Sequence, residues 1–232
     1  MSKQHKVHFN IQVATLAHVT YAEEICHMME DAAKKRGTGI AKRDPNYVRQ
    51  KMLEDKAIIA IEENTQTVAG FCYIETWDNK DYVANSGLIV HEEYRKHGLA
   101  TKIKKKVFEH TRKKFPNAKI FGITTSLAVM KINSDLGYKP VTFSELTSDD
   151  TFWKGCQSCV NFDVLTRTDR KMCLCTGMLY DPKEDKKKIY EDAIKKVNKR
   201  VPLKLREPKS KRIKVSLPKE LRKNKKSDEQ EQ

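Results

Sequence analysis

The stretch Leu88-Ile89-Val90-His91-Glu-Glu-Tyr-Arg95-Lys96-His97-Gly98-Leu99-Ala100-Thr101 holds the residues of this chain best placed to do chemistry. A β-branched apolar run ends at Val90, a charged turn with one glycine follows, and a helical pattern begins at once. In that helix Ile103, Val107 and Thr111 recur every four residues, so one stripe faces a sheet. The helix then starts at a strand end, with unpaired N–H groups and the positive pole of its dipole exposed. Such a turn is a seat for a phosphate. Gly98 lets the backbone close on the anion, and Arg95 and Lys96 add positive charge. Two other phosphate-binding strings, Gly-x-x-x-x-Gly-Lys-Ser/Thr and Gly-x-Gly-x-x-Gly, are absent.

The elements that must position this turn are legible around it. Phe9 to Ala14 reads as a strand, Thr20 to Arg36 as a helix, and Asp44-Pro45 opens a second helix through Leu53. Ala57 to Ile61 and Val68 to Trp77 form a hairpin around Glu63-Asn-Thr, and Val83 to Val90 is the next strand. After the turn and its helix come a strand at Lys119 to Thr124, a helix from Ser126 to Leu136, and a strand at Tyr138 to Phe143. Hydroxyls stand at the start of that later helix and Gly137 at its end, where a left-handed residue is needed. The order is β-α-α-β-β-β-α-β-α-β.

Arg95-x-x-Gly98-x-Ala100 resembles the acyl-CoA pyrophosphate loop of the GNAT N-acetyltransferases, written Arg/Gln-x-x-Gly-x-Gly/Ala. A second block, Ser126-Leu-Ala-Val-Met-Lys-Ile-Asn133-Ser-Asp-Leu-Gly137-Tyr138, extends the likeness over about residues 8 to 146. The resemblance implies an α/β GNAT fold: a mixed central sheet splayed between two strands, with flanking helices, admitting the pantetheine arm. It implies an N-acyltransferase domain at 1–146, acetyl-CoA or succinyl-CoA as co-substrate, and pantetheine gripped by the backbone at Leu88, Ile89 and Val90. The turn Arg95, Lys96, His97, Gly98, Leu99, Ala100 and Thr101 is then the pyrophosphate site.

Acyl transfer from a thioester to an amine needs aligned reactants, a polarised carbonyl and a neutral amine. Strand alternation puts Phe71, Tyr73, Glu75 and Trp77 on one face, so Glu75 is a carboxylate among aromatic rings and a candidate base; His91 and His97 are alternatives. Many members of the resembled family carry a tyrosine four residues before the glycine that ends the last helix, where it protonates the leaving thiolate. Here that position is Asn133, which cannot act as an acid but can hydrogen-bond the cofactor. Ser126, Ser134 or Tyr138 serves instead, or the thiolate leaves unaided.

The acceptor side is expected at the glycine-rich loop between the first two helices, where Arg36, Lys42 and Arg43 cluster. Arginines there suit a carboxylate-bearing small molecule over a lysine-rich peptide. The string from Gly87 to Thr147 is similar to acetyltransferases of arginine-biosynthesis gene sets in Bacteroidetes-type bacteria, which implies glutamate as acceptor. A protein or peptide acetyltransferase, and a non-catalytic acyl-CoA-binding protein with a nucleic-acid-binding tail, are the alternatives.

Beyond this domain, 147–181 reads as an extension that completes the sheet with a final strand from Met172 to Tyr180. Cys156 and Cys159, thirteen residues before the Cys173-Leu-Cys175 pair, have the look of a closed structural zinc site if 173 and 175 share a strand face; buried thiols or a redox pair are the other readings. Residues 182–232 form a basic tail, expected to be largely disordered after about 200, carrying 19 Lys and Arg against 9 Asp and Glu, a net +10 of the chain's +15. Such a tail can bind nucleic acid, although Tyr190 is its one aromatic residue and offers little stacking. The polar N-terminus carries no export pattern, and no apolar run is long enough to span a bilayer. The expected setting is the cytoplasm, without a membrane partner.

Overall fold

The computed structural model describes residues 7–36 and 43–200. Lys42, the side chain of Arg36 and the tail beyond Arg200 lie outside the described residues, so the expectations placed on them do too. The chain divides into two compact units, Met1–Asp185 and Lys186–Gln232. The sheet and its cleft belong to the first.

In chain order the elements are β1 (Phe9–Val13), α1 (Ala22–Arg36), α2 (Pro45–Leu53), β2 (Ala57–Glu62), β3 (Val68–Trp77), β4 (Tyr82–Val90) and α3 (Leu99–Lys114). They continue with β5 (Lys119–Thr124), α4 (Leu127–Asp135), β6 (Lys139–Val141), α5 (Asp150–Lys154), α6 (Phe162–Arg167), β7 (Thr176–Tyr180) and α7 (Pro182–Arg200). Proline at the first position of α2 follows Asp44, whose carboxylate accepts the Asn46 N–H at 2.6 Å, a capped start.

One seven-stranded sheet runs in the order β1-β2-β3-β4-β5-β7-β6. Every neighbouring pair is antiparallel except β4 and β5. Strand alternation sends one set of side chains to each face. Ile59, Ile61, Phe71 and Tyr73 pack under α1 and α2 with Ile25, Met29, Val48 and Met52. Ile58, Ala60, Cys72 and Ile74 pack under α3 with Leu99, Ile103 and Val107. Each fully buried side chain of this size contributes about 1.5–3 kcal/mol relative to exposure.

Two features of the sheet make the site. β4 and β5 pair over only three residues, Tyr82↔Lys119, Val83↔Ile120 and Ala84↔Phe121, and then part. Between β3 and β4 the register slips, Tyr73 facing Ser86 while Phe71 faces Ile89, so Gly87 and Leu88 together oppose one residue. Gly87 has φ +64°, and a Cβ there would lie 2.3 Å from the Tyr73 ring. Only glycine permits this bulge.

Two strand boundaries differ from the expectation. The strand sought at Tyr138 to Phe143 is confined to Lys139–Val141 and is an edge strand, the place where Pro140, lacking an N–H, is tolerated. The final strand begins at Thr176 rather than Met172, because its partner β5 ends at Thr124, which pairs with Thr176. Residues 172–175 therefore have no strand to pair with on that side, and β7 itself slots between β5 and β6.

Candidate active site

At the head of α3, Gly98 is the N-cap residue with φ 70° and ψ 9°, and Lys96 is also left-handed at φ 68°. This turn leaves the first-turn amides of Leu99, Ala100 and Thr101 without helical acceptors. A Cβ on Gly98 would meet nothing within 4 Å, so the glycine is required by its backbone angle, and the space beside it is open. Arg95 donates from Nε to the Val90 carbonyl at 3.4 Å, tying the turn back to the strand end, and Arg95, Lys96 and His97 are exposed around it. Such a turn can seat an anion.

Where β4 and β5 part, a cleft of about 640 Å³ runs into the sheet. Its walls are Ala84 to Leu88 on one strand and Gly122 to Thr125 at the other, with Val129 and Asn133 of α4 and Lys104 of α3. Leu88 lines the cleft, whereas the Ile89 side chain packs in the core under α1, and Val90 packs against the α3 side of the sheet. At Ile89 and Val90 the backbone, not the side chain, is what a ligand can reach. Asn133 is 1% exposed, and its Oδ1 is buried without a hydrogen-bond partner.

On the opposite side of the sheet the cleft opens past Arg43, Tyr47, Glu75 and Trp77. Glu75 is 7% exposed and accepts the Tyr47 hydroxyl at Oε1, 2.5 Å away. Arg43 donates through Nε to the Tyr73 hydroxyl. Burial opposes the guanidinium's charge, but Tyr73 and Glu75 outweigh it and hold Arg43 above the ordinary arginine pKa. Burial, then the Glu75 charge, push the Tyr47 and Tyr73 hydroxyls well above the usual tyrosine value. Both tyrosines stay protonated, and the arrangement can keep a carboxylate in place beside an incoming amine.

The remaining candidates are spread more widely. Ser126 caps α4, accepting the Val129 N–H at 3.5 Å, and does not line the cleft. Tyr138 is 3% exposed and donates its hydroxyl to Asn85 Oδ1 at 3.1 Å, one layer behind the cleft wall. Burial raises its pKa well above the ordinary range. Ser134 and His97 are exposed, and His91 stands at the end of β4, outside the cleft lining.

Cys156, Cys159, Cys173 and Cys175 all line the outer cleft as free thiols. The expected zinc site is not formed: among the described residues no group of three or more His, Cys, Asp or Glu is placed to hold a metal ion. Cys173 and Cys175 precede β7 and share no strand face, although their side chains are hydrogen-bonded to one another. Burial, then neighbouring cysteines, push Cys156 up to about 11 and Cys175 up to about 12, so both are protonated at neutral pH.

The family model of the acetyltransferases (GNAT family) matches residues 22–129, from α1 through the bulged β4 and the Gly98 turn into α4. That segment, a little under half of the chain, is similar to the GNAT family. The mixed sheet with its flanking helices is the GNAT fold, and several solved structures share it. N-acetylglutamate synthase from Neisseria gonorrhoeae, complexed with coenzyme A and N-acetyl-glutamate, is 12% identical with a TM-score of 0.54, over 76% of this chain and 35% of that one. A Mycobacterium tuberculosis protein in complex with CoA is 12% identical, TM-score 0.54, over 74% of this chain and 98% of that one. A Salmonella typhimurium protein solved with its cofactor acetyl-CoA is 12% identical, TM-score 0.50, over 75% and 94%. This chain thus spans about a third of the Neisseria enzyme, and at these identities the likeness is one of fold. No curated protein matches the sequence.

Several residues of the GNAT cleft escaped the sequence reading. The glycine at 87 inside a strand was a usable signal for a bulge. Lys104 was another, since Ala100, Ile103, Lys104, Val107 and Thr111 fall on one helix face at spacings of three and four. Tyr47 and Asn85 carry no local pattern that marks them. Beyond the GNAT segment, α5 and α6 bring Thr151, Phe152 and Phe162 over the acceptor side; both helices are too short to show periodicity.

Proposed function

We propose that this chain is an acyl-CoA-dependent N-acyltransferase that moves an acetyl group from coenzyme A to the amino group of a small acceptor. The geometry that supports this reading is the open Gly98 turn at the head of α3 together with the cleft where β4 and β5 part, which reaches Glu75. Pyrophosphate sits on the α3 amides, pantetheine follows β4, and the bulge at Gly87 turns main-chain groups toward the thioester oxygen. Glu75, held by Tyr47, takes the proton of the attacking amine. The attack breaks the carbon–sulfur bond and releases coenzyme A.

The acceptor in this reading is an amino acid with a second carboxylate, such as glutamate, and the donor is acetyl-CoA or its succinyl counterpart. Among the described lining residues the cations are Arg43 and Lys104, and Arg43 is the one on the acceptor side. The ligands of the Neisseria structure, coenzyme A and N-acetyl-glutamate, are of the same chemistry. No helix among the described residues is long and apolar enough to cross a membrane, and a cytosolic setting suits free thiols and an acyl-CoA supply.

A thiol-release assay with acetyl-CoA and succinyl-CoA against single amino acids and a lysine peptide tests this. Turnover is expected with glutamate. Turnover with the peptide alone would move the acceptor class to proteins, and coenzyme A binding without turnover would leave a binding protein.

A further inference from the structure

The proposed reaction lacks one component, a group to receive the charge left on sulfur. The position where the resemblance implies a tyrosine is Asn133, which has no proton to give. Behind the splayed strands, however, α3 presents Lys104 on its sheet-facing side among Leu99, Ile103 and Val107. Lys104 is 1% exposed, yet it lines the cleft. Its Nζ lies 3.5 Å from the Asn85 carbonyl and 5.3 Å from the centre of the Tyr138 ring. Among the described residues no carboxylate stands close enough to balance its charge, and Cys72 is its ionisable neighbour. A buried ammonium without a carboxylate costs stability, which marks a position kept for some other end.

We propose that Lys104 meets the coenzyme's sulfur and protonates it as the acyl group leaves. This rests on the acyltransferase reading above. The site is where β4 and β5 part, at Asn85 and Gly122, and Asn133 with its unpartnered Oδ1 lines the same inner stretch. The step balances as follows. The amine nitrogen bonds to the acyl carbon and its proton passes to Glu75. The carbon–sulfur bond breaks with its electron pair going to sulfur, and sulfur takes a proton from Lys104 Nζ. As coenzyme A departs with that proton, Lys104 takes another from solvent and Glu75 releases its own. Burial lowers the lysine pKa below its ordinary value, which eases loss of the proton to sulfur. The titratable groups facing Nζ are Cys72 of β3, pushed up to about 11 by burial, and Tyr138, which burial keeps protonated.

Calorimetry on the wild-type protein with coenzyme A and with desulfo-coenzyme A needs no variant. Coenzyme A is expected to bind about tenfold tighter, the size of one charge-assisted contact. In Lys104→Met, whose straight apolar side chain suits the burial, that preference is expected to vanish. Its kcat should fall about 100-fold while desulfo-coenzyme A binds as before. Wild-type kcat should also decline at alkaline pH as Lys104 loses its proton, and the variant should lack that limb. Equal wild-type affinity for the two ligands, or an unaltered kcat and alkaline limb in the variant, overturns the assignment. Failure of the wild type to bind either ligand overturns the acyltransferase reading beneath it.

Discussion

At the scale of single residues, the acceptor side is a small electrostatic set rather than one group. Glu75 is buried, receives the Tyr47 hydroxyl and lies beside Arg43, whose Nε is on Tyr73. The carboxylate has a fixed position, which general-base chemistry needs. Glu75→Gln keeps the shape and the Tyr47 contact but removes the base. Its kcat should drop by about 100-fold with the affinity for coenzyme A unchanged, read by steady-state kinetics and calorimetry. An unchanged kcat would take Glu75 out of the chemistry. Arg43→Gln addresses recognition instead: KM for a dicarboxylate amino acid should rise roughly tenfold or more, about 1.4 kcal/mol per factor of ten, with kcat less affected. If KM stays level, the arginine serves only the Tyr73–Glu75 set.

At the scale of elements, the anion seat depends on one backbone conformation. Gly98→Ala adds a methyl into open space, so packing raises no objection, but φ 70° costs an alanine about 1–2 kcal/mol. If the seat holds, with a lowered Tm, the methyl stands where the backbone must close on the anion; if it relaxes, its amides turn away. Either way coenzyme A should bind roughly tenfold more weakly, and calorimetry against the wild type checks it. An unweakened affinity would mean the pyrophosphate lies elsewhere. This turn was legible in the sequence because its chemistry is local, a strand end, a glycine and a helix start within a dozen residues. The strands and long helices were legible for the same reason, since each repeats its period over enough residues. What escaped was set by partners distant in the chain. β7 is limited by the end of β5, which no pattern at 172–180 can report. Tyr47 meets Glu75 across twenty-eight positions of sequence.

At the scale of the whole molecule, the buried Lys104 links the cleft to stability, and the sign of that link can be worked out. Burial lowers its folded-state pKa below the ordinary 10.5. Below both values the folded protein carries the full penalty of a buried ammonium. Between the lowered value and 10.5 the unfolded chain binds a proton that the folded one does not, so stability rises with pH across that window. Lys104→Met removes the penalty and the slope together. Its Tm should exceed the wild-type Tm at neutral pH, and the gap should close as pH approaches 10. Cys72, the ionisable neighbour, is pushed up to about 11 by burial and stays mostly protonated in the folded protein across that window. A gap that stayed constant with pH would mean that the variant changes packing alone and that Lys104 is equally at ease folded or unfolded. A gap that closes shows a fold holding a costly cation at the place where sulfur is to leave.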